Sequence, residues 1–174
     1  MSILAPGVRV VIVGTVSRHR EPERYYAGPG NRFWELLHGS GLVPSLLGPD
    51  DAAALPSLGV GLTDLVLDRV EVAGREPEVL IDVAALDAQI RDAAPRVVAF
   101  VSKTAASWYA RGAGKRLPRG YGELSWTVAG RPAFVLPGPS GANNGMPLPL
   151  RLALWTDLAD YLDVSPARRW RSAR

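Results

Sequence analysis

A chain of 174 residues, 47% hydrophobic and 21% charged, has the size and balance of one globular domain that buries a core without cross-links. It holds no cysteine and only two histidines, His19 and His38, which excludes disulfides, iron–sulfur clusters and thiolate zinc, so no structural metal site is expected. The formal charge is +3, and four of the cations are Arg168, Arg169, Arg171 and Arg174, without which the remainder stands at −1.

No apolar run approaches the roughly 20 residues that cross a bilayer, and the first residues lack a basic stretch followed by a long apolar one. A cytoplasmic, nucleoid-associated location is the expectation. The organisation expected is one domain over residues 1–164 and a basic tail over 165–174. Such a tail attracts polyanions, but a solvated end is the favoured reading.

In chain order, residues 8–13 form a β-branched run closed by Gly14, the pattern of a buried parallel strand. Residues 31–42 place Phe33, Trp34, Leu36, Leu37 and Leu42 at helical spacing and end at Gly39 and Gly41. Residues 50–55 suggest a short helix. Residues 59–66 are compact and apolar with one acid, Asp64, inside. Asp82 is placed to cap a helix through about Ala94, with Val83, Leu86 and Ile90 inward. Residues 96–101 read as a second buried strand and 103–109 as a helix start. Residues 125–128 and 132–136 read as strands joined through Gly130 and Arg131. Residues 147–162 read as a closing amphipathic helix carrying Leu150, Leu154, Trp155, Leu158 and Tyr161 inward. This alternation predicts a three-layer α/β fold with a central, mostly parallel sheet flanked by helices. Ligands of such sheets bind beyond the carboxyl ends of the strands, which selects the segments 14–31, 63–64 and 137–149.

Several of these segments carry motifs. Residues 3–11 read Ile-Leu-Ala-Pro-Gly-Val-Arg-Val-Val, with Gly14 beyond, and residues 26–34 read Tyr-Ala-Gly-Pro-Gly-Asn-Arg-Phe-Trp. Gly59 to Val66 and the run Leu136-Pro137-Gly138-Pro139-Ser140-Gly141 follow in order. Together they resemble the mismatch-specific uracil/thymine DNA glycosylases of the uracil-DNA glycosylase superfamily, over essentially residues 3–162. The resemblance implies a uracil-DNA glycosylase-like fold and a monomer without cofactor. It also implies hydrolysis of the N-glycosidic bond of uracil or a related base mispaired with G in double-stranded DNA. Thymine, hypoxanthine and etheno-type lesions are further substrates that it admits.

By the same resemblance Tyr26 is the aromatic that stacks on the flipped base, with Tyr25 a weaker candidate. The other reading of Tyr26 is a ring packed on the following helix. Asn31 is expected to fix the loop by side-chain to backbone bonds, and Phe33 and Trp34 to anchor the pocket wall. Lys103, Ser140, Gly141, Ala142, Asn143 and Asn144 are candidate DNA contacts, with Met146 a further wedge candidate. An unliganded Pro/Gly-rich loop is the alternative for the last motif.

The chain departs from the family in its first motif. Where the family has Gly-Ile-Asn-Pro-Gly, with the Asn positioning water, this chain has Gly14-Thr15-Val16-Ser17-Arg18, and Val16 forms no hydrogen bond to water through its side chain. Thr15, Val16 and Ser17 remain candidates for base contact through loop N–H groups. Asp64 is the candidate catalytic group, because a lone carboxylate in an apolar segment needs a reason to be there. A helix cap or surface ion pair is the competing reading. His19, between two arginines, reads as exposed or as a phosphate contact, and His38 as surface. The cluster Lys115, Arg116 and Arg119 reads as solvated charge. In the last motif, Gly138 and Ala142 replace an Asn and a bulky wedge. The competing functions are a lesion-DNA binder that does not cleave and a hypoxanthine-type glycosylase. A dinucleotide enzyme is a poorer option, since no Gly-x-Gly-x-x-Gly follows the first strand.

Overall fold

The computed structural model describes the backbone of residues 2–15, 24–65, 67–70, 78–141 and 145–163, and the side chains of these outside 67–80. A five-stranded sheet with the order β2-β1-β5-β7-β6 forms its centre. The strands are β1 (Val10–Thr15), β2 (Val60–Leu65), β5 (Val97–Phe100), β6 (Gly122–Val128) and β7 (Arg131–Val135). The pairs β1–β2, β1–β5 and β5–β7 are parallel, and only the edge strand β6 runs antiparallel to its neighbour. The strands β1, β2 and β5 are buried throughout, apart from half-buried Thr15, because helices cover both sheet faces.

Side chains alternate between two cores. Val10, Ile12, Val60, Leu62, Val97 and Ala99 pack with α1 (Phe33–Gly39), the 3-10 helix Pro49–Leu58 and α4 (Leu148–Asp163). Val11, Val13, Leu65, Val98 and Phe100 pack with α2 (Val83–Ala93) and α3 (Lys103–Gly112). Parallel crossovers are right-handed, so a chain that turns from β1 to β2 and then back across to β5 must place successive helices on opposite faces. That reversal opens a crevice at the carboxyl ends of β1 and β5, the usual ligand position in an open α/β sheet.

Local chemistry sets the helix ends. Asp82 Oδ1 accepts the Ala85 N–H at 2.8 Å, the cap expected for α2, and Ser102 Oγ accepts the Ala105 N–H at 3.0 Å to open α3. The Tyr109 hydroxyl donates to Asp87 Oδ1 at 2.7 Å and ties these two helices together. Burial, and then that hydrogen bond, push the Tyr109 phenol above its ordinary value.

Three expectations need correction. A two-stranded antiparallel sheet, β3 (Leu67–Val70) with β4 (Glu78–Ile81), was not foreseen. The strand β6 starts three residues earlier than residue 125. In α4 the inward stripe is Arg151, Trp155, Leu158, Ala159 and Leu162, while Leu150 is 57% exposed. The expected register was one residue out at Leu150 and Leu154, while Trp155, Leu158 and half-buried Tyr161 face the core as expected, and the true stripe runs through a buried arginine.

Candidate active site

The site is built on a pair of parallel strands. Gly14 and Asp64 are register partners near the carboxyl ends of β1 and β2. By alternation both face the same side as Ile12 and Leu62, toward α1 and α4. Asp64 is 8% exposed, an acid set into a strand whose every residue is buried. Gly14 explains how it fits. A Cβ built on Gly14 would lie 2.7 Å from Asp64 Oδ1 and 2.8 Å from the Tyr26 hydroxyl oxygen. The carboxylate of β2 and the phenol of the following loop thus crowd one point above the glycine, and any larger residue would drive them apart.

Tyr26 reaches this point from a strained backbone, with φ at +56°. For a bulky residue that conformation persists only where surrounding structure enforces it. The enforcing contact is visible: the Tyr26 ring stacks on the Phe33 ring with centroids 3.9 Å apart and planes 13° from parallel. The reading of Tyr26 as a ring packed on the following helix is met. One face packs on α1, while the hydroxyl edge enters the site beside Asp64. Tyr25 is fully buried and belongs to the core, and Phe33 and Trp34 are buried anchors as expected. Asn31 Oδ1 accepts the Phe33 N–H at 2.9 Å, which fixes the loop at the start of α1.

A second loop closes on the first. Arg32 N–H donates to the Pro139 carbonyl at 2.8 Å, and a Cβ on Gly141 would lie 2.7 Å from the Gly30 carbonyl oxygen. Only glycine permits that backbone approach. Ser140 and Gly141 are exposed at its rim, and the Ser140 carbonyl accepts from Arg151 Nη1 at 3.2 Å. Arg151 is 8% exposed, and among the described residues its Nε has no hydrogen-bond partner. Lys103 is exposed, with Nζ 4.6 Å from the Tyr121 ring centroid. Thr15, half-buried, alternates to the face opposite Gly14, so its side chain points away from Asp64 and Tyr26. Val16, Ser17, His19, Ala142, Asn143, Asn144 and the tail 165–174 lie outside the described residues. His38 is exposed on α1.

The structure brings Asp64 and Tyr26 together over Gly14, and sets the Asn31 loop against the Ser140–Gly141 loop. Gly14 as the enabling glycine and Arg151 as the tether of the Ser140 loop were missed. The first was detectable only through strand register; the second from an arginine four residues before Trp155 in an apolar stripe.

A three-layer α/β fold in which an acid of β2 and an aromatic hydroxyl meet over β1, at the carboxyl ends of the strands, places these groups where open α/β sheets bind their ligands. The model of the uracil DNA glycosylase superfamily matches residues 1–159. The chain belongs to that superfamily, whose members generally hydrolyse N-glycosyl bonds of uracil-like lesions in DNA.

Proposed function

We propose that this protein is a monofunctional glycosylase of the mismatch-specific type. It flips uracil, or a related base opposite G, out of double-stranded DNA and leaves an abasic site. The observation that carries this reading is the convergence of Asp64 and Tyr26 over Gly14. The flipped base stacks on Tyr26, a contact worth about 1–3 kcal/mol. Asp64, as the carboxylate, orients a water toward C1′ and stabilises the oxocarbenium character that grows on the sugar. The C1′–N bond breaks with its electron pair leaving on the base. The water oxygen bonds to C1′, and its proton passes to Asp64 and from there to solvent or the departing base. Backbone N–H groups of the loop after β1 are suited to the oxygens of the leaving base. Placing the catalyst on β2 accounts for a functional first motif that has Val16 in the position of the water-holding amide.

The test is Asp64→Asn in single-turnover cleavage of a G:U duplex. The amide keeps the shape and removes the proton acceptor, so a loss of about 10²–10⁴-fold is expected. Cleavage near the wild-type rate overturns the role. Val16 also favours a second reading, a protein that binds lesion DNA without cutting it, and tight binding with no abasic product selects that one. A panel of uracil, thymine, hypoxanthine and ethenocytosine opposite G assigns the base.

A further inference from the structure

Charge is divided sharply along this chain. Between Asp92 and Asp157 there are eight basic residues, Arg96 through Arg151, and one acid, Glu123. The whole chain carries only +3, so the remainder is net acidic. The basic segment builds β5, α3, β6 and β7, which is one half of the sheet and the helix over it.

Within that half, the cations gather on one ridge that starts at the site. Lys103 opens α3 directly after β5, and Gly138 of the Pro137–Ser140 loop lies beside Ser102, within 3.9 Å of its Cβ if Gly138 carried one. Tyr121 precedes Gly122, which pairs with Val135 at the carboxyl end of β7. From there the loop over residues 115–121 runs back along the edge strand. Lys103 Nζ sits 4.6 Å from the Tyr121 ring centroid, and Lys115 Nζ sits 5.8 Å from that of Trp126. Trp126 is itself held by a stacked Tyr109 at 5.7 Å, an edge-on Phe100 at 6.1 Å and a 2.8 Å hydrogen bond from Nε1 to the Arg116 carbonyl. Arg116 and Arg119 are exposed and flank a concavity of about 250 Å³ against β6. Glu123, on the same wall, accepts a hydrogen bond from the Tyr161 hydroxyl at 3.1 Å.

We infer that this ridge, Lys103–Lys115–Arg116–Arg119, is a phosphate track that holds the duplex flanking the flipped base. The two aromatic rings are covered by ammonium groups, so they position cations and do not serve as platforms for bases. A row of fixed cations without readers of base edges fits phosphates and gives sequence-independent contact. The occupant is duplex DNA continuing past the base pocket, and the inference rests on DNA being the ligand, not on the identity of the catalyst.

Salt dependence is the direct readout. Binding of the full chain to undamaged duplexes, one short and one extending well past the footprint of the base pocket, is measured by fluorescence anisotropy across a salt series. The double variant Arg116→Gln with Arg119→Gln is compared with Arg91→Gln with Arg96→Gln, which removes two exposed cations outside the ridge. Two lost phosphate contacts should lower the slope of log K against log salt by about 1.8 on the long duplex. On the short duplex the slope should stay near wild type, as it should for the control pair on both. Single-turnover cleavage of a G:U duplex at saturating enzyme should be unchanged. An unaltered slope in the ridge variant, or an equal fall in the control pair, overturns the track. Because the readout is binding to undamaged DNA, it stands whether or not Asp64→Asn abolishes cleavage.

Discussion

Gly14→Ala is the smallest change that addresses the site without removing a functional group. The added methyl would stand 2.7 Å from Asp64 Oδ1 and 2.8 Å from the Tyr26 hydroxyl. Ordinary contact requires each oxygen to retreat by roughly 0.7 Å. Neither group retreats easily. Asp64 sits on a strand buried along its whole length, and the Tyr26 ring is stacked on Phe33. Gly14 does not have a positive φ, so alanine brings no backbone strain, and the stability cost is that of local overpacking, about 1–3 kcal/mol. A displacement approaching 1 Å at a catalytic group costs on the order of 10²-fold, or about 2.7 kcal/mol in the barrier. The assay is single-turnover cleavage of a G:U duplex at saturating enzyme, with a thermal melt beside it to confirm folding. A folded Gly14→Ala protein that cleaves at the wild-type rate refutes the assignment of Asp64 and Tyr26 to one reacting centre.

Two further substitutions probe the scaffold. In Tyr109→Phe the hydrogen bond to Asp87 is lost while the ring packing is kept, so stability at neutral pH should fall by about 0.5–1.5 kcal/mol. The folded-state value of this phenol is raised, so its contribution is fully present below the unfolded value of about 10 and is lost as pH rises above it. The stability gap between wild type and variant, followed by denaturant titration, should therefore narrow above about pH 10, and a gap that widens contradicts the sign. For Arg151→Met, removal of a charged donor to the Ser140 carbonyl is offset by removal of a buried, unpartnered Nε. The net change in unfolding free energy should be within about 1 kcal/mol, while KM for DNA rises as the loop loses its tether. A loss beyond about 3 kcal/mol shows that the guanidinium is well satisfied.

The sheet was legible because β1 and β5 carry uninterrupted apolar runs that begin on valines, the mark of strands covered on both faces. The hairpin of β3 and β4 was not, since strands of four residues are too short to show a period. The α4 register failed because a buried arginine interrupts the apolar count, and Leu150 and Leu154 imitate the stripe one residue away. At the site, Asp64 stood out as an acid in an apolar run. Its neighbours did not, because the meeting of Gly14, Asp64 and Tyr26 depends on strand pairing between positions 50 residues apart in sequence.

That pairing also supports the proposed placement of the catalytic group on β2 and not in the loop after β1. A side chain on a loop must be held by contacts that the loop itself supplies, whereas one on a strand, even an edge strand such as β2, inherits its position from the ladder, here the pairing with β1. Asp64 is positioned by the Gly14 register and walled by the Tyr26–Phe33 stack, neither of which depends on the residue at position 16. The glycine is the linked condition. With a side chain at position 14 the carboxylate would have no room on this face, so an acid on β2 and a glycine on β1 have to occur together. If Asp64 is the catalyst, restoring Asn at Val16 should add little while Asp64 is present, yet recover part of the activity of Asp64→Asn. Recovery to the wild-type rate by Val16→Asn in the Asp64→Asn background would instead make the two positions interchangeable sources of one oriented water, and single-turnover rates of the four proteins in that cycle decide the matter.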